Sequence, residues 1–197
     1  MPRIEIDLNP VSHLTADAIG QPGKRVFYIQ GRKGEQVVTL IVEKVQIQTL
    51  ALGVDEFLSE IGKRFPDAGD ASEDYDEPVM RIYPPVDPLY RVGELALAYD
   101  SDSDLAILIA REVAGAEDFS QDPDEPEDSD ISEDPEDEEE NEEEHSVVRF
   151  WCTRSQLLAM CRWGLEVSGR GRPVCPYCGQ PMDPAGHFCP KRNGHKH

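Results

Sequence analysis

The sequence lacks a long hydrophobic run. No stretch approaches the roughly 18 to 20 apolar residues that a helix needs to cross a bilayer. The opening residues MPRIEIDLNP have neither the basic start nor the apolar middle of a secretory signal peptide. Both absences argue against a membrane-spanning helix and a cleaved leader. We therefore expect a cytoplasmic protein with no membrane partner.

Cysteine is scarce, and most of it lies in one place. The chain has five cysteines, and three of them fall within residues 175–189. An odd number of cysteines, clustered around a CxxC in a cytosolic setting, favours a metal site over a disulfide framework.

Basic residues are also few, with 19 Lys and Arg against 40 Asp and Glu, for a formal charge of −21. Residues 117–145 hold 18 of the acids and no Lys or Arg, so the rest of the chain carries only −3. A second acidic loop, residues 66–77, has six more acids and no base. The remainder is close to neutral. The 117–145 insert has one charge sign and almost no apolar residues, which predicts disorder.

Alternating apolar residues predict strands at 4–8, within 24–31 and 35–43, at 93–100, 104–113 and 146–152. A spacing of three and four predicts helices from Lys44 to about Phe65 and from Arg154 to Ser168. The proline-containing segment 79–93 favours an extended edge or connector. Residues 13–25 are expected to turn the chain, which would leave His13 and His145 in loops.

Two segments, 37–51 and 147–161, align without gaps as a strand followed by a helix with Gln46 or Gln156 in its first turn. The match predicts an α+β fold in which two ββα-like halves share a mainly antiparallel sheet, although two similar strand-to-helix junctions could also arise by convergence. We expect an α+β domain over residues 1–168 and a basic, cysteine-rich tail over 169–197, folded like a small zinc knuckle or ribbon.

The tail motif CPYCGQPMDPAGHFCP has the spacing of a zinc site, because two cysteines separated by two residues can reach one ion from a tight turn. We predict that Cys175, Cys178, His187 and Cys189 bind a structural Zn²⁺. His195 is the alternative fourth ligand. Four protein ligands would close the metal shell, whereas catalytic zinc keeps a position for water.

The other two cysteines, Cys152 and Cys161, fall on predicted buried faces. Free cysteine is among the most buried residue types, so we expect them to be inert core residues. No arrangement of residues suggests a catalytic dyad, and the sequence therefore leans against an enzyme.

The segments IGQPGKRVFYIQG, YRVGELALAYDSDSDLAILIAREV and GRPVCPYCGQPMDPAGHFCPKRNG resemble those of a bacterial domain-of-unknown-function family, found mainly in actinobacteria and Chloroflexi. The resemblance spans nearly the whole chain and implies no assigned activity. It suggests a pathway link to a phosphatidylinositol-kinase-like protein through neighbouring genes. The chain departs from the family in its long acidic insert and at His195.

Three functions remain open at this stage. The first is a non-enzymatic cytosolic adaptor or regulatory protein whose zinc clip presents a surface to another protein. The second is nucleic-acid binding through the basic tail, with the acidic insert as an internal competitor. The third is an enzyme with a site between the two halves.

Overall fold

The computed structural model describes residues 3–66, 69–113, 145–182 and 187–192. Nearly all of the acidic insert therefore lies outside the described residues. No helix in these ranges is long and apolar enough to cross a membrane. The elements are β1 (Glu5–Leu8), β2 (His13–Ile19), β3 (Val26–Lys33), β4 (Gln36–Val42), α1 (Lys44–Arg64), β5 (Pro88–Asp100), β6 (Leu105–Glu112), β7 (Val147–Cys152), α2 (Arg154–Gly169) and a short 3-10 helix, Pro190–Arg192.

The strands form one seven-stranded mixed sheet in the order β1-β7-β6-β5-β4-β3-β2. Only β1 with β7 and β4 with β5 pair in parallel, and the other neighbours are antiparallel. The expected α+β fold with a mainly antiparallel sheet is thereby confirmed.

The two halves predicted from the sequence are visible as a repeated strand pattern. Strands β2, β3 and β4 form an antiparallel meander that continues into α1 and a parallel neighbour, β5. Strands β5, β6 and β7 form a second meander that continues into α2 and a parallel neighbour, β1. The first strand of the chain thus completes the second half.

The sheet curls so that its two edges approach each other. The backbone N–H of Val11 donates to the Trp151 carbonyl in β7 over 2.8 Å. The backbone N–H of Ser12 donates to the Arg32 carbonyl in β3 over 2.7 Å. Gly31 faces Phe150 so closely that a Cβ there would lie 2.3 Å from the ring. The helices pack against each other, and α2 also packs on β2. One core results, and its most deeply buried apolar side chains include Leu8, Ile29, Leu40, Leu108, Phe150 and Trp163.

Polar residues occupy the face of β2, β3 and β4 that points away from this core. Thr15, Gln30 and Thr39 are register neighbours across the three strands, and all are buried. The segment we name the strap, residues 69–83, covers them. The Gln30 amide donates to the Tyr83 carbonyl and accepts from the Tyr83 N–H, and Thr15 donates to the Met80 carbonyl. The strap backbone thus satisfies polar groups that would otherwise be costly to bury.

The strap also contains residues 69–77 of the acidic loop, and acids of this segment dock on α2. Glu73 pairs with Arg162, Glu77 pairs with Arg170, and the Tyr75 hydroxyl donates to Glu166. Arg170 and Arg81 each lie 4.9 Å from the centre of the buried Trp163 ring. The acidic loop is therefore a packed connection between α1 and β5.

Two expectations from the sequence are wrong. Residues 13–19, expected to turn the chain, form the edge strand β2. Residues 88–93, expected to be an edge or connector, belong to β5, which lies at the centre of the sheet. Pro88 is compatible with this position because it is the first residue of the strand, where a missing N–H is tolerated.

Candidate metal centre

The clip, residues 173–182 and 187–192 as described, follows the end of α2. A bridge between Val174 and Pro181 folds its first part into a tight turn. Cys175 donates its N–H to the Gln180 carbonyl over 2.8 Å, and Gly179 donates to the Cys175 carbonyl over 2.8 Å. Gly179 has φ +75°, in the left-handed region that favours glycine. The glycine after the second cysteine thus lets the CxxC turn close.

The turn brings Cys175 and Cys178 together with His187 and Cys189. One ligand atom from each of the four residues lies within 4.8 Å of the other three. The Cys175 and Cys189 sulfurs are 3.8 Å apart, and Cys178 Sγ is 3.1 Å from His187 Nε2. Sulfurs bound tetrahedrally at about 2.3 Å from one ion would themselves be about 3.8 Å apart. The cluster could therefore hold a metal ion.

The environment of the cluster acts differently on two of its thiols. Cys175, His187 and Cys189 are buried, while Cys178 is half-buried. The backbone N–H of Cys178 faces the Cys175 sulfur and, with further hydrogen bonds, lowers the pKa of that thiol to about 6. Burial raises the pKa of the neighbouring Cys178 thiol. A metal ion would favour the thiolate form of both.

The end of α2 ties the clip to the domain. Arg25 donates from its guanidinium to the Val167 carbonyl over 2.9 Å. A Cβ on Gly23 would lie 3.0 Å from Arg172 Nε, so the 20–25 turn closely supports the chain that leads into the clip. The position of the clip therefore depends on residues near the start of the chain.

Three apolar side chains beside the cluster residues are exposed. Val174 precedes Cys175, Tyr177 precedes Cys178, and Phe188 precedes Cys189; their exposed fractions are 63%, 51% and 68%. An exposed apolar residue thus directly precedes each cysteine of the cluster along the chain.

The remaining sequence candidates lie elsewhere. Cys152 and Cys161 are 0% and 2% exposed, and burial raises the pKa of each thiol to about 12. Both are packed core residues, and the described residues contain no disulfide. His195, the alternative fourth ligand, lies outside the described residues.

The sequence predicts a loop at His13, with no partner nearby. In the structure His13 begins β2 and lies directly opposite Arg32 of β3. The alternation of His13, Thr15 and Asp17 with apolar residues could have indicated a strand with a polar face.

A family model described as "Protein of unknown function (DUF3090)" matches residues 6–189. The match covers most of the chain, and the chain belongs to this family. It includes all four residues of the Cys/His cluster and agrees with the resemblance seen in the sequence. No curated protein and no solved structure matches the chain.

Proposed function

We propose that this member of the DUF3090 family is a non-enzymatic, cytoplasmic adaptor or regulatory protein. In this proposal a structural Zn²⁺, bound by Cys175, Cys178, His187 and Cys189, shapes the clip for contact with another protein. The observation that supports the proposal is the cluster of four side chains that could hold a metal ion, with exposed apolar side chains beside three of them.

The donor set supports zinc in a structural role. Three thiolates and one imidazole suit Zn²⁺, and four protein ligands leave no position for a reactive water. The clip is also too small to build a core of its own, so a bound ion would supply the stability that apolar burial supplies elsewhere.

The exposed side chains support a protein partner. Val174, Tyr177 and Phe188 lie beside ligands that a metal would hold rigidly, and aromatic residues are enriched at the centres of protein interfaces. A rigid surface also loses little conformational entropy on binding.

The test compares variants that keep the metal ligands. Y177S/F188S removes two exposed apolar groups from the clip, and the matched control V45S/L52S removes two from α1, where exposure is 63% and 72%. Affinity capture from native cytosol should recover a stoichiometric protein with the wild-type chain and the control but not with the clip variant. Zinc content, measured by mass spectrometry, should be the same in all three.

Two outcomes would contradict the proposal. The partner could persist with the clip variant, which would place the interface elsewhere. Alternatively, oligonucleotides could be captured in place of a protein, which would favour nucleic-acid binding through the basic tail.

A further inference from the structure

A cleft of about 400 Å³ opens on the polar face of the sheet, where the strap crosses β2 and β3. Its polar lining comes from Ser12, His13 and Arg32, together with Arg81 and the Gln30 amide, and its apolar lining comes from the strap. None of the residues that line it is acidic. The cleft therefore combines positively charged side chains with a partly apolar wall.

The two strands place His13 and Arg32 side by side in this cleft. The residues are register partners in β2 and β3, two positions along the ladder from the buried pair Thr15 and Gln30 and therefore on the same face. Both Nε2 of His13 and Nε of Arg32 are buried without a hydrogen-bond partner among the described residues. Buried polar atoms are normally hydrogen-bonded, so two adjacent unpaired nitrogens indicate that a bound molecule supplies their hydrogen-bond acceptors.

The charge around Arg32 is also unbalanced. Arg32 is half-buried, stacks 5.6 Å from the centre of the Tyr83 ring, and forms no ion pair within the described residues. By contrast, Arg81 in the same cleft pairs with Glu77 and lies 3.9 Å from Asp17. A guanidinium held away from carboxylates beside an orphan imidazole is suited to an anionic ligand.

Burial, and then the charge of Arg32, lower the pKa of His13. The imidazole is therefore neutral at pH 7, and Nε2 can donate a hydrogen bond to an anion without a second buried charge.

We propose that this cleft binds a small oxyanion, with Arg32 providing the charge and His13 a directional hydrogen bond. The oxyanion is a free phosphate or the phosphoryl or carboxylate group of a small organic molecule. Tyr83, Val79 and Ile82 supply the apolar wall on which an organic substituent would lie.

Titration calorimetry on the full-length, zinc-containing chain tests this, with inorganic phosphate, phenyl phosphate and benzoate as three separate probes. We expect at least one probe to bind, and the three together distinguish a free ion from a substituted phosphate or a carboxylate. The Arg32→Gln variant should weaken binding by about tenfold or more, the loss expected for one charge-assisted hydrogen bond. Lys33→Gln is the matched control, since it removes the same charge one residue along β3, on the opposite face.

The proposal is overturned if none of the probes binds, or if binding survives in Arg32→Gln. Should Arg32→Gln fail to fold, imidazole nitrogen NMR of the wild-type chain decides the matter. Addition of a binding probe should shift the His13 signals. A shift confined to other histidines, such as His187 in the clip, would place the anion elsewhere.

Discussion

Gln46 and Gln156 make equivalent hydrogen bonds in the two halves of the fold. Each lies in the first turn of its helix and accepts the N–H of the residue three positions earlier, Glu43 or Thr153, over 2.7 and 2.9 Å. Each also donates to the backbone near the parallel neighbouring strand: Gln46 to Val92 and Gly93, and Gln156 to Val11. One side chain thus caps each helix and also contacts the backbone in the parallel neighbouring strand, for Gln46, or just after it, for Gln156.

Replacing either glutamine by alanine should lower the free energy of unfolding by about 1 kcal/mol, because a helix cap and a strand contact are lost together. Gln48→Ala, at an exposed position of α1, is the control and should change stability by less than about 0.5 kcal/mol. Urea denaturation measures all three. Equal stability of Gln46→Ala and Gln48→Ala would show that the capping interaction contributes nothing.

The fourth ligand can be identified by removing each histidine in turn. His187→Ala should lose the metal that the cluster is proposed to bind and loosen the clip, since His187 supplies one of the four clustered ligand atoms and its Nε2 lies beside Cys178 Sγ. His195→Ala should keep one metal per chain. Metal content after dialysis, measured by mass spectrometry, checks both. If His187→Ala keeps the metal and His195→Ala loses it, His195 is the fourth ligand instead of His187.

Cys152 and Cys161 should resist thiol reagents. With a thiol pKa of about 12, each has on the order of one part in ten thousand as thiolate at pH 8, and both are buried. After chelation, the folded chain should therefore show three fast-reacting thiols, all in the clip, out of five. Denaturant should release the other two. Five fast thiols without denaturant would contradict the burial of this pair.

Gly164 allows α2 to lie close to β2 and α1. A Cβ there would lie 2.8 Å from Cγ2 of Ile47 and 3.2 Å from Cβ of Ala16. Gly164→Ala should therefore destabilise the chain by about 1 to 3 kcal/mol through overpacking. Gly62→Ala has no atom within 4 Å and should stabilise α1 by up to about 1 kcal/mol. In thermal unfolding, Gly164→Ala should lower the Tm and Gly62→Ala should raise it.

The strap should detach from α2 in acid. Hydrogen bonds from Arg170 hold the pKa of Glu77 below its usual value, and those from Tyr75 and Arg170 do the same for Glu166. A carboxylate whose folded-state pKa is lowered contributes stability that is complete at neutral pH and is lost as the pH falls through that lowered pKa. In a W151F variant, Trp163 is the remaining tryptophan. The near-ultraviolet circular dichroism signal of this variant should change as the pH falls through the lowered pKa values of Glu77 and Glu166.

Glu77→Gln should produce the same loosening at pH 7. It should raise amide exchange in residues 72–77, with little effect on the core. Glu60→Gln, which removes another exposed ion pair, is the control and should leave the strap unchanged. Equal exchange in both variants would show that Glu77 does not hold the strap.

The sequence by itself determined the local elements and the members of the Cys/His cluster. Apolar spacing placed both helices and most strands, because burial of one face imposes its period on the chain. The CxxC turn and the later His-x-Cys pointed to the four residues that the structure brings together, because these residue types lie close in the sequence at the required spacing, with His195 left as the alternative to His187. The internal match of 37–51 with 147–161 also anticipated the two halves.

Tertiary structure decided what depends on residues distant in sequence. Strand β2 was missed because its polar residues look exposed, yet the strap buries them. The sequence does not predict the central position of β5, because proline lacks an N–H and therefore suggests an edge strand. The position of β5 in the sheet is set by its neighbours β4 and β6, which are distant in the sequence. The pairing of His13 with Arg32 arises from strand register, which the curled sheet and the turn between β2 and β3 establish together.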